Sequence, residues 1–100
     1  MALSFSDFMD SLRAESPDPS LSPALKALWF DGKGDWEASH NIAQDMPGVA
    51  GSRIHAYLHR KEGDRWNAGY WYDRAGYPFP DCSLEAEFRT LVKAFLESGA

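Results

Sequence analysis

Apolar residues along this chain recur every three or four positions, and no stretch of useful length alternates apolar and polar side chains, so the pattern predicts helices and no strand. The sharpest stripe is the last. Leu84, Phe88, Leu91, Val92, Phe95 and Leu96 share one face, Ser83 precedes them, and Glu85 and Glu87 lie where the positive end of a helix dipole favours acids. This predicts a helix over 83–98. At the other end Phe5, Phe8, Met9 and Leu12 recur at helical spacing after Ser4 or Ser6 as candidate N-cap, with Asp7 in the first turn, which predicts a short helix within 3–15. Pro17 and Pro19 end it, because a proline disfavours the helical conformation of the residue before it.

Ser22-Pro23 opens the next helix, whose face is Leu25, Leu28 and Trp29. Gly32 and Gly34 stop it, and Asp35 caps a following helix that runs to about Asp45 and buries Trp36, Ala43 and His40 or Ile42. Residues 21–46 therefore predict a first hairpin. Met46 to Gly51, with Pro47, Gly48 and Gly51, reads as a loop. A second hairpin follows over 52–76. Ile54, Tyr57 and Leu58 mark its first helix, Gly63 its stop, Asp64 the next cap, and Trp66, Ala68, Tyr70, Trp71, Tyr72 and Ala75 its second helix before Gly76. Six short helices with short connections predict one all-α bundle over 1–100.

Gly34-Asp35 and Gly63-Asp64 lie 29 residues apart, each between two helical runs, which predicts a duplicated helix-turn-helix unit. The second unit resembles a tetratricopeptide repeat. Ala56, Ala68 and Ala75 match that family's small positions, Gly63-Asp64 its inter-helix turn, Tyr72 a large packing position and Pro80 its terminating proline, and the spacings of twelve, seven and five fit. The first unit fits less closely: Ala27, Ser39 and Trp36 match, but Asp45 and Met46 stand near the third small position and no proline terminates it. The strings HAYLHRKEGD and NAGYWYDRAG also resemble a small bacterial family to which no activity attaches. The repeat resemblance implies two tetratricopeptide-like hairpins, capped by the helices within 3–15 and 83–98 or covered by a homodimer partner. It further implies a concave face made by Arg53, Tyr57, Arg60 and Lys61, suited to an acidic segment or a C-terminal carboxylate of a protein or peptide partner.

Composition changes this picture little. At 44% hydrophobic with four tryptophans, the chain has ample material for a core. Its net charge of −5 is uneven: residues 53–65 carry Arg53, Arg60, Lys61 and Arg65 against Glu62 and Asp64, while residues 1–52 hold eight acids and three bases. That basic spot is smaller than a nucleic-acid binder requires, so no nucleic-acid partner is expected. One cysteine, Cys82, rules out an internal disulfide, and an acidic N-terminal segment without an apolar run points to the cytoplasm. No apolar stretch is long enough to suggest a membrane span.

The candidate chemistry lies in the second hairpin. His55 and His59 stand at i, i+4 and project from one helical face. His40 and Glu37 are one turn apart on the preceding helix, so a hairpin neighbour could bring Glu37, His40, His55 and His59 together as ligands for a metal such as zinc. The same residues can instead be packing or surface groups, in which case no cofactor is expected. Convergence with a carboxylate favours a metal or small-molecule site, with a catalytic one among the alternatives; scatter or apolar enclosure favours an interaction scaffold. Trp66 and Tyr70, on one side of their helix, join Arg53, Tyr57, Arg60 and Lys61 as candidate partner contacts. Nucleophilic catalysis has little support, because Cys82 has no histidine near it in sequence.

Overall fold

Five of the six described helices start where a short polar side chain precedes a periodic apolar run, and α4 starts after Pro47. In a computed structural model that describes residues 3–98, the described chain forms six helices and no strand: α1 Phe5–Ser11, α2 Pro23–Gly32, α3 Trp36–Asp45, α4 Gly48–Lys61, α5 Arg65–Ala75 and α6 Leu84–Ser98. Ser4 caps α1 in a reciprocal box with Asp7, Ser22 caps α2 ahead of Pro23, and Ser83 accepts from the Ala86 amide at the start of α6. The fold is all-α, as the periodicity predicts.

The turns at 34–35 and 63–64 repeat one geometry. Gly34 and Gly63 take φ of +86° and +85°, a region L side chains avoid, and the next amide closes each turn: Asp35 N–H donates to the Phe30 carbonyl and Asp64 N–H to the His59 carbonyl, both at 2.9 Å. Asp35 and Asp64 then cap α3 and α5 through their side chains. Equivalent small residues, Ala27 and Ala56 on the first helices, Ser39 and Ala68 on the second, are all fully buried. The 29-residue duplication therefore exists in the backbone as well as in the residues.

The segment from Met46 to Gly51 corrects the expectation of a loop. Only Met46 and Pro47 are non-helical, and α4 begins at Gly48. Gly51 is glycine because a Cβ there would collide with the Met46 carbonyl and lie 2.8 Å from Met46 Cβ. It marks a close crossing rather than a break.

The main core gathers Phe8 from α1, Leu25, Leu28 and Trp29 from α2, Ile54 and Leu58 from α4, and Leu91, Val92 and Phe95 from α6. A smaller cluster of Ala56, Ala68 and Tyr72, flanked by Trp71 and Phe79, seals α4 against α5. α4 is thus enclosed by α2 and α6 on one side and by α3 and α5 on another.

Candidate functional site

Because α4 is packed all round, its polar residues are forced into two separate environments. His55 and His59 face α3 and α5, whereas Tyr57 and Lys61, about 200° further round in each case, face α2 and α6.

On the first side the three histidines converge. His40 Nε2 of α3 lies 2.9 Å from His55 Nε2, and one ring nitrogen from each of His40, His55 and His59 falls within 4.8 Å of the others. Aromatic rings hold them. Trp36 stacks on His40 with centroids 4.8 Å apart and anchors itself by donating its indole N–H to the Leu58 carbonyl at 2.8 Å. Trp71 of α5 stacks on His55 at 4.1 Å, and His55 in turn stacks on His59 at 4.8 Å. His59 Nδ1 meets Glu62 Oε1 at 2.6 Å, which fixes that ring's orientation.

Burial sets the protonation of His40 and His55. It pushes His55 down to about 4, with His40 and His59 adding to the shift, and it lowers His40 in the same direction, with His59 as second cause. Both imidazoles are therefore neutral at pH 7, so in the 2.9 Å contact one N–H donates to the other ring's lone pair. Neutral imidazoles are also the form that binds metals.

Tetrahedral zinc with bonds of about 2.0–2.1 Å places its nitrogens roughly 3.4 Å apart. The present spacings, 2.9 Å for His40 and His55 and no more than 4.8 Å for the other pairs, bracket that value. The His59–Glu62 contact reproduces the carboxylate that commonly orients a metal-binding histidine. Glu37, the acid expected from the sequence, is exposed and outside the cluster, because it precedes His40 on the solvent side of α3; Glu62 takes the position nearest the rings. Glu62 stands three residues after His59, a spacing that could have revealed it.

On the second side Tyr57, Arg60 and Lys61 each bond to an acid. Tyr57 is 2% exposed and donates its hydroxyl to Asp31 Oδ2 at 2.7 Å, while Lys61 Nζ donates to Asp31 Oδ1 at 2.8 Å. Burial and the Asp31 charge raise the Tyr57 pKa. Arg60 donates to Glu87 Oε1 at 2.8 Å and to the Cys82 carbonyl, and Glu87 Oε2 accepts from the buried Tyr72 hydroxyl at 2.6 Å. Of the four residues expected to make a concave groove, Tyr57 is buried, Arg60 pairs with Glu87, and Lys61, with 39% of its side chain exposed, pairs with Asp31. Arg53 is half-buried with its guanidinium 4.1 Å over the Tyr77 ring. Asp31 and Glu87 as buried acids have no local sequence signal, since their partners lie 26 to 30 and 15 to 27 residues away.

Trp66 and Tyr70 remain on the surface, 79% and 47% exposed, stacked with centroids 6.4 Å apart. Cys82 is exposed and takes no part in the histidine cluster. No helix among the described residues is long and apolar enough to cross a membrane. Comparison with protein-family models, with curated proteins and with solved structures finds no match to this chain.

Proposed function

We propose that the protein binds a divalent transition metal of the zinc class through His40, His55 and His59. The observation that carries this reading is the meeting of three imidazoles from two helices, with two of their Nε2 atoms 2.9 Å apart and a carboxylate on the third ring. Three protein ligands leave a fourth position for water or a small ligand, the arrangement of centres that polarise a bound molecule rather than merely staple a fold.

The test uses protein purified without a histidine tag. Cobalt substitution is expected to give one equivalent of visible ligand-field absorption per chain, lost in His40→Ala and in His55→Ala. Absence of any saturable cobalt spectrum in folded wild type overturns the reading.

A second reading, a tetratricopeptide-like interaction module, rests on the 79% exposure of Trp66 beside Tyr70, since large amphipathic rings left in solvent are typical anchors at protein interfaces. For a homodimer built on that face, light scattering over a concentration series gives a rising mass that Trp66→Ser abolishes; a constant monomer mass removes the homodimer.

A further inference from the structure

We propose that the cleft between α1, α2, α4 and α6 binds an amino acid with a large apolar side chain, of the size of phenylalanine, seating that side chain on an apolar floor and its two opposite charges between acids and bases. This cleft lies on the side of α4 away from the histidines, so it stands or falls independently of the metal.

The cleft holds about 390 Å³, at the small end of the roughly 300–1,000 Å³ typical of small-molecule sites. Its floor is apolar: Phe5 and Met9 from α1, Leu84 and Phe88 from α6. Four charged groups, two of each sign, share the same space: Asp31, Glu85, Lys61 and Arg89. That combination is unusual for a surface dent, because charged side chains normally turn away from apolar surface toward water.

Asp31 is the inner group. Its side chain is only 2% exposed, and its two oxygens accept from Tyr57 and Lys61 respectively, one donor each. Buried and already bonded to both donors, Asp31 holds Lys61 at the cleft wall, and the exposed Glu85 carboxylate is the acid open to a ligand ammonium. At the rim, the Arg89 guanidinium stands 5.3 Å over the Phe5 ring. Stacking engages its face and leaves its N–H edge to receive a carboxylate in a bidentate pair. Among the described residues neither Arg89 nor Glu85 is in an ion pair, and Lys61 has Nζ donors beyond the one given to Asp31.

Charge balance selects the ligand class. A simple carboxylate would satisfy Arg89 and Lys61 but crowd Asp31 and Glu85; a simple amine would do the reverse. A zwitterion pairs both sets at once, and its apolar side chain covers Phe5 and Phe88.

Isothermal titration of the full chain with L-phenylalanine, 3-phenylpropionate and phenethylamine, each up to about 10 mM, tests this. L-phenylalanine is expected to bind at least tenfold more tightly than either single-charge analogue. Arg89→Ala and Glu85→Ala, both at exposed positions, are each expected to weaken L-phenylalanine about tenfold, with thermal melts confirming that both variants remain folded. The proposal is overturned by absence of saturable L-phenylalanine binding to folded wild type, by comparable affinity for all three probes or for L-phenylalanine and one analogue, or by unchanged affinity in both variants.

Discussion

His55 is 8% exposed, touches His40 Nε2 and lies under Trp71, and these surroundings hold its pKa at about 4 against 6.5 for a free side chain. Above pH 6.5 it is neutral whether the chain is folded or not and gives no pH dependence. Below 6.5 the unfolded chain takes up a proton that the folded one refuses, so stability falls with pH until about 4 is passed. His40 shifts in the same direction. Urea unfolding of metal-free protein at a series of pH values is expected to lose on the order of 2 kcal/mol across that window, and His55→Gln should flatten the curve. Ser39 offers a contrasting residue. Its hydroxyl is fully buried without a hydrogen-bond partner among the described residues, at the position where the second hairpin has Ala68. Ser39→Ala removes an unsatisfied group at no cost in packing volume, and calorimetry should show a gain of about 1 kcal/mol.

At the scale of elements, two glycines within helices do opposite work. Gly51 in α4 lies against the Met46 backbone, where a Cβ has no room, so Gly51→Ala should cost about 1–3 kcal/mol through displacement of the α3–α4 connection. Gly69 in α5 has nothing within 4 Å of the place a Cβ would take, and Gly69→Ala should stabilise by about 0.5–1 kcal/mol, as in any open helix interior. Chemical denaturation of the two variants side by side checks both signs. The helices themselves were legible from sequence because their determinants are local: Ser22-Pro23, Asp35, Asp64 and the stripe from Leu84 to Leu96 act within a turn or two of where they stand. Gly51 misled for a physical reason. A glycine that permits close approach looks the same in sequence as one that breaks a helix, and only the path of Met46 distinguishes them.

For the whole molecule, what sequence reveals declines with the distance between partners. The meeting of His40 with His55 and His59 could be read from an i, i+4 pair and a preceding hairpin, since α3 and α4 are neighbours in sequence and in space. The fate of Tyr57, Arg60 and Lys61 could not, because it depends on Asp31 and on Glu87 of α6, whose docking onto this face is a long-range event. Pairing Arg60 and Lys61 with those acids uses charge that the sequence of α4 offers to a partner, while the opposite side of the same helix brings three imidazoles together. If the imidazole cluster is the metal centre proposed above, a zinc competition titration of tag-free protein at pH 7.5, with His55→Gln alongside, gives one zinc per chain in wild type. Binding to the variant is expected to be at least a hundredfold weaker, a loss of about 3 kcal/mol. Wild type that binds no stoichiometric zinc, or a variant that binds it equally well, would contradict the proposal.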